Sequence, residues 1–168
     1  MAASAVSRRD RMDELETARQ CAIVMMAKDN ASRSLGIDVE IPSPGSALAR
    51  MVVTEAMLNG FAVCHGGYIF ALADTAFAFA CNAYDRLTLA AAANIDFLCS
   101  ARLGDKLVAT AVERNRGGRM GVYDVRVTNQ DDKEVAVFRG KSYATSKSLL
   151  ADSPGVSNKM TSASSWRQ

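Results

Sequence analysis

Apolar and polar positions alternate in three different ways along this chain. Near the N-terminus, Leu15, Ala18, Ala22, Met25 and Met26 recur at helical spacing, with Arg11, Asp13, Glu14, Glu16 and Arg19 between them. That is the stripe of an amphipathic helix, expected to end near Asp29 and Asn30. Ser7, three residues before Asp10, offers a weak cap of the Ser-x-x-Asp type. Ile37, Val39 and Ile41 then alternate with Asp38 and Glu40, the period of a half-buried strand. The run Pro42, Ser43, Pro44, Gly45 breaks it, and residues 47–54 form a second strand with Ala49, Met51 and Val53 on one face and Arg50 on the other.

The longest apolar stretch is residues 68–84, about 17 residues holding a single carboxylate, Asp74. It lacks internal Gly or Pro and is too long for an ordinary buried strand, so it is expected to be a helix. Its apolar residues go all the way round, which predicts burial on every side. A carboxylate at the middle would be costly in hydrocarbon, so a helix inside a protein core is the better solution than a membrane span. Beyond it the pattern is strand throughout. Residues 89–98, 107–113, 121–128 and 134–145 are separated by turn signals at Gly104-Asp105, at residues 115–119 and at residues 130–133. Evenly spaced strands with short turns predict an antiparallel meander, and one long buried helix against it is an α+β arrangement. Residues 1–10 are expected to be a polar leading segment, 11–145 a single domain, and 146–168 a flexible tail poor in apolar side chains.

The chain has 168 residues, 49% of them hydrophobic, enough for one domain with a sizeable core. A net charge of +2 gives no argument for nucleic acid or an anionic membrane. Cys21, Cys64, Cys81 and Cys99 are scattered, and His65 is the only histidine, so neither a zinc site nor a disulfide framework is expected. Reduced thiols and the absence of a signal-like apolar run in residues 1–7 point to the cytoplasm.

Asp74 is the first candidate for chemistry. A buried carboxylate either meets a neighbouring loop or has its pKa tuned for work. Just upstream, His65-Gly66-Gly67 leads into the helix start, where unpaired N–H groups and the positive dipole end can hold an oxyanion. Asp74 lies roughly two turns further on, so another segment or a second chain must bring something to it. Asn59 before Gly60 suits a turn. Cys64 beside His65 suggests a thiol nucleophile, but neighbours in an extended loop point apart. No G-x-S-x-G elbow, Walker loop or dinucleotide glycine pattern is present. Arg116-Gly117-Gly118-Arg119 suits a hairpin turn rather than RNA contact. Arg139 and Lys141 alternate on the last strand, which suits a solvated face or contact with phosphates.

Asn59, His65-Gly66-Gly67 and Leu72-Ala73-Asp74-Thr75 together resemble the hotdog-fold acyl-CoA thioesterases. The likeness continues through Ile95-Asp96-Phe97-Leu98, Gly104-Asp105, Gly121-Val122-Tyr123-Asp124 and Phe138-Arg139-Gly140-Lys141-Ser142, covering about residues 35–145. It implies a sheet wrapped around the long helix and hydrolysis of an acyl-CoA, phenylacetyl-CoA or its ring-hydroxylated form being the implied substrate. Asp74 would be general base or nucleophile. Gly66, with Gly67, would polarise the thioester carbonyl. Asn59 would orient water or the carboxylate, and Thr75 would support Asp74. His65 has two readings, shaping the loop or touching substrate. Arg139, Lys141, Arg114 and Arg116 are candidates for the CoA phosphates, with Arg119 a competitor. Coenzyme A is part of the substrate, and no cofactor or metal is implied. The family's site lies between subunits, which implies a homodimer with shared sites, usually paired into a tetramer. The rivals are a hotdog hydroxyacyl thioester dehydratase, which would need His65 paired with an acid, and a non-catalytic acyl-CoA-binding protein.

Overall fold

The structure, a computed structural model, describes residues 8–151. Helix α1 runs Arg8–Lys28 and is followed at once by the short helix α2, Asn30–Ser34. The expected cap at Ser7 lies outside the described residues, and α1 already includes Arg8, Arg9 and Asp10. Asp29 separates the two helices by capping the second: its carboxylate accepts from the Ser32 N–H at 2.9 Å and the Ser32 hydroxyl at 2.6 Å. Hydrophobic periodicity does not reveal α2, because five residues are too few to show a stripe.

The strands are β1 Asp38–Ser43, β2 Ser46–Val52, β3 Thr88–Phe97, β4 Lys106–Gly117, β5 Met120–Thr128 and β6 Glu134–Ala144. They form one antiparallel sheet in the order β1-β2-β4-β5-β6-β3. A simple meander is therefore incomplete as a description. Strands β4, β5 and β6 follow it, but β3 precedes them in the chain and pairs with β6 at the far edge. Helix α3, Gly66–Cys81, makes this topology: it leaves β2 near one edge and packs across the sheet, so the chain resumes at the opposite edge.

Alternation along the strands decides the core. Ala47, Ala49 and Met51 of β2, Leu107, Ala109 and Ala111 of β4, Tyr123, Val125 and Val127 of β5, and Phe138 of β6 are all buried. Phe77 of α3 fits against Tyr123 and Phe138 with ring centroids 5.5 Å and 5.8 Å away. Gly140 leaves room for it, since a Cβ there would stand 2.8 Å from the Phe77 ring.

Two expectations are corrected. Helix α3 is not buried on every side: Ile69, Leu72, Ala73, Ala76, Phe77, Phe79, Ala80 and Cys81 face the core, whereas Tyr68, Ala71, Asp74, Thr75 and Ala78 are only half-buried. These positions recur every three to four residues and make one uncovered stripe. Secondly, residues 146–151 are held, not loose. Asp85 accepts hydrogen bonds from Ser148, Leu149 and Leu150, and residues 152–168 lie outside the described part. No helix among the described residues is long and apolar enough to cross a membrane.

Candidate active site

The loop before α3 is folded on its own polar groups. A 3₁₀ turn, Glu55–Met57, ends β2's exit, and the Asn59 side-chain oxygen then accepts the N–H groups of Phe61 at 2.9 Å and Val63 at 3.4 Å. This is the Asx-type turn that Asn-Gly favours. The Cys64 N–H reaches the Ala101 carbonyl and the His65 N–H reaches the Met57 carbonyl, both at 2.8 Å. The loop is therefore anchored on both sides of the histidine.

His65 is the N-cap of α3. Its Nδ1 accepts the Gly67 N–H at 3.0 Å, and its carbonyl accepts the Tyr68 N–H at 2.9 Å. An accepting Nδ1 carries no proton, so the ring's remaining N–H is at Nε2. Of the two readings of His65, this geometry gives loop shaping a definite partner. It also changes the picture of the Gly-Gly pair. The Gly67 N–H is already taken by the imidazole, whereas the Gly66 N–H has no partner among the described residues. Gly66 is thus the donor left at the positive end of the helix dipole.

The glycine at position 66 has a second cause, which the sequence does not show. A Cβ there would come within 2.9 Å of the Phe97 ring, which stands over the helix start from the end of β3. Phe97 is itself 52% exposed, so its ring approaches Gly66 from the surface.

Asp74 sits two turns on, half-buried, on the uncovered stripe of α3. Among the described residues its carboxylate makes no hydrogen bond or ion pair. Burial holds its pKa above the ordinary carboxylate value. It opens into a groove of about 280 Å³ walled by Met25, Phe77, Cys81, Leu87, Leu89 and Leu149. His65, Gly67, Tyr68 and Ala71 border a different groove of about 450 Å³, and the two share no lining residue. Along the axis, eight positions separate Gly66 from Asp74, about 12 Å. One chain therefore holds both halves of the expected site without bringing them together.

The other candidates fall elsewhere. The Thr75 hydroxyl lies 3.1 Å from the Ser32 hydroxyl and ties α3 to α2. Cys64 is buried and its thiol is pushed up in pKa by that burial, which is unsuited to a thiolate nucleophile. Arg139 grips Asp124 with two nitrogens at 2.6 Å and 3.0 Å, and Arg114 reaches the same carboxylate at 2.8 Å. The carboxyl of Asp124 is held below the usual range by these guanidiniums, Arg139 foremost. All three alternate with core residues, so they lie on the sheet face turned away from α3. Arg116 lies 3.5 Å from Glu113 and 3.8 Å over the Tyr84 ring. Arg119 donates to the Tyr143 hydroxyl at 2.9 Å. Among the described residues neither Lys141 nor Arg119 has an ion-pair partner, and of the two only Arg119 has its guanidinium engaged, by the Tyr143 hydroxyl. The structure does not bring these cations to Gly66 or Asp74.

Sequence patterning missed a carboxylate cluster at the far end of α3. One Glu113 oxygen accepts the hydroxyls of Tyr123 at 2.7 Å and Tyr84 at 3.0 Å. Burial, with the bond to Glu113 adding to it, pushes Tyr84 up to about 12 and Tyr123 higher still. Tyr123 and Glu113 stand ten residues apart, and only strand pairing makes them neighbours.

A family model, the thioesterase superfamily, matches residues 61–136, the span from the Asn59 loop through the start of β6. The acyl-coenzyme A thioesterase PaaI of Escherichia coli K12 is 48% identical over 124 residues, covering 74% of this chain and 89% of that protein. The solved structure of the E. coli PaaI protein from the phenylacetic acid degradation operon superposes with a TM-score of 0.78 at 46% identity, covering 80% of this chain and 97% of that one. A Streptococcus mutans protein solved with acetyl-CoA bound superposes at 0.64 with 29% identity, covering 67% of this chain and 90% of that one. With a hotdog sheet around α3 and the His-Gly-Gly helix start in place, the chain belongs to the thioesterase superfamily and is a thioester hydrolase.

Proposed function

We propose that this protein hydrolyses aryl-acyl-CoA thioesters, such as phenylacetyl-CoA or hydroxyphenylacetyl-CoA, to the free acid and coenzyme A. One observation carries the reading. Among the described residues, Asp74 is half-buried and without a partner, and it stands on the open stripe of a helix whose capped start leaves the Gly66 N–H unpaired. These two groups stand apart within one chain, and a second copy brings them together. Strand β3 is an edge of the sheet, exposed over most of its length and with Asp96 its only charged residue, an edge that a second copy would cover. A two-fold pairing there would set Asp74 of one chain opposite Gly66 of the partner subunit and create two equal sites. Two such dimers would then form a tetramer.

The carbonyl oxygen of the thioester would accept from the Gly66 N–H at the positive helix end. Asp74 either removes a proton from the attacking water or attacks the carbonyl carbon itself. In both routes the C–S bond breaks and coenzyme A leaves as the thiolate; the water route then gives the acid directly, whereas the nucleophile route leaves the acyl group on Asp74 as a mixed anhydride that a water molecule must cleave to release the acid and restore the carboxylate. A raised pKa makes Asp74 a stronger base than a solvated carboxylate. Single turnover in ¹⁸O-labelled water tests the choice of route: label in Asp74 establishes the nucleophile route, with water attacking the Asp74 carbonyl of the anhydride, because the water route never places label there. Asn59 shapes the loop through its oxygen, leaving its NH₂ to orient water, and Thr75 holds the helix behind Asp74. Lys141 is the first candidate for the CoA phosphates, ahead of the paired Arg114, Arg116 and Arg139. The cysteines are all free, in keeping with a cytoplasmic protein.

The dehydratase alternative gains nothing from His65, whose Nδ1 is committed to the Gly67 N–H. The deciding experiment is thiol release against a panel of aryl and alkyl acyl-CoAs, with hydration of a crotonyl thioester run in parallel. Preference for phenylacetyl thioesters supports the proposal. Absence of thiol release from every member, with binding retained, would make this an acyl-CoA-binding protein.

A further inference from the structure

Besides α3, β3 and the turn that joins them, the groove at Asp74 is walled by two side chains from distant parts of the chain. Met25 comes from α1, and Leu149 comes from the segment after β6. That segment is not simply laid on the surface. Beyond Ala144 the chain turns back along residues 85–88: the Leu87 N–H donates to the Lys147 carbonyl at 2.8 Å and the Thr145 N–H to the Leu87 carbonyl at 2.9 Å. The Asp85 carboxylate then gathers the turn. One of its oxygens accepts the Ser148 hydroxyl at 2.8 Å and the backbone N–H groups of Leu149 and Leu150, both at 2.9 Å. Ser148 in turn accepts the N–H of Ala151 at 2.9 Å. Asp85 adopts φ +50°, a conformation that most side chains avoid, so the backbone at this residue is bent to aim the carboxylate.

We propose that Leu149 and Met25 set the size of the acyl group accepted beside Asp74, with Asp85 as the positioning residue that holds Leu149 on the groove. The inference rests on Asp74 acting at a thioester carbonyl. A carbonyl placed at that carboxylate has its acyl substituent along the groove, among Phe77, Leu87, Leu89, Met25 and Leu149. The volume of about 280 Å³ stands at the low end of the roughly 300–1,000 Å³ of small-molecule pockets, which suits one compact group. Both closing side chains come from outside the hydrogen-bonded sheet. They can therefore change the groove's length without disturbing the strand register.

The test is a profile of kcat and KM over straight-chain and phenyl-bearing acyl-CoAs of graded length, for wild type, Leu149→Ala, Met25→Ala and Asp85→Gly. Glycine suits the positive φ at position 85, so Asp85→Gly removes the carboxylate without adding backbone strain. Removing several carbons from an apolar wall should shift the kcat/KM ratio of long to short substrates about tenfold or more in favour of the long ones. Most of that shift should appear in KM, and Leu149→Met should return the ratio towards wild type. Asp85→Gly should shift the ratio in the same direction as Leu149→Ala, and the double variant should go no further than Leu149→Ala alone. Equal losses for all substrates in Leu149→Ala and Met25→Ala would overturn the proposal. A ratio moved by Leu149→Ala but not by Asp85→Gly would overturn the role of Asp85; if Asp85→Gly does not fold, Ser148→Ala takes its place in the comparison. Wild-type protein inactive on every thioester would instead remove the hydrolase reading on which the inference stands, an outcome distinct from an active enzyme with an unchanged ratio.

Discussion

Asp74, placed in the proposed site, is a residue that burial makes costly to ionise. Burial raises its pKa, so the folded state disfavours the ionised form. A raised folded pKa means that the folded chain binds a proton more readily than the unfolded one. The resulting penalty is absent below the unfolded value and develops as pH rises through the folded one. Asp74→Asn is therefore expected to melt no lower than wild type at pH 7, and to lose the pH dependence that Asp74 contributes. The same substitution should lower kcat by about 10² to 10⁴, the usual loss of a general base. Thermal melts from pH 4 to pH 8 beside thiol-release kinetics check both parts, and a variant with near-full turnover would make Asp74 structural. The acid limb of the wild-type kcat/KM profile should lie above the ordinary carboxylate range. Gly66 meets Phe97 as well as presenting the N–H proposed to bind the carbonyl, and its substitutions must be read accordingly. The 2.9 Å approach of Phe97 to a Cβ at this position means that Gly66→Val disturbs packing as well as the free N–H. Gly66→Ala with Phe97→Leu relieves the clash while keeping the N–H. Recovery of turnover in this double variant over Gly66→Ala alone would assign the loss to packing; no recovery would assign it to access at the N–H.

At the scale of elements, the far end of α3 is closed by Glu113 with Tyr84 and Tyr123. Tyr123 is 1% exposed, so its hydroxyl has little water to turn to if the carboxylate is removed. Glu113→Leu is expected to cost about 1–3 kcal/mol, the usual penalty for stranding a buried hydroxyl, and Tyr123→Phe in the same background should return part of it. Urea unfolding curves measure both. The cluster also shows why an element can hide its neighbours. Tyr84 follows α3, Glu113 lies on β4 and Tyr123 on β5, and no period within one element relates them. By contrast, the alternation in β2 was legible because each buried residue there needs only its own strand's two-fold period. The same holds for the heart of β4 and β5.

For the whole molecule, the proposed site is divided between two copies, and that division can be tested. Mixing Asp74→Asn with Gly66→Val, unfolding and refolding them together, should recover activity, because a mixed dimer has one site carrying both changes and one carrying neither. Random pairing makes about half of the dimers mixed, and one intact site of two gives roughly a quarter of wild-type activity. Recovery requires that the Gly66→Val chain folds, which its melt establishes first. Mixed dimers shown by mass spectrometry but inactive would place both residues in one chain's site.

The hydrophobic pattern by itself determined the central helix, most strand positions and the α+β class, because 3.6-residue and two-residue periods follow directly from backbone geometry. Asn59, the His-Gly-Gly and Asp spacing and the motifs of the later strands were enough to indicate the family and to nominate Gly66 and Asp74 for the chemistry. Tertiary structure decided what local pattern cannot encode. It sent β3 to the far edge, because a helix crossing a sheet delivers the chain to the other side. It left one stripe of α3 uncovered where an all-apolar helix suggested full burial, because six strands of one chain wrap only part of the cylinder. It gave the Gly67 N–H to His65 and, among the described residues, left that of Gly66 unpaired, a matter of loop angle, not of residue type. It took Arg114 and Arg139 onto Asp124, since strand register brings residues 10 and 15 positions apart into contact. And it fastened residues 148–151 to Asp85, more than 60 positions away, where their polar composition alone had suggested a free tail.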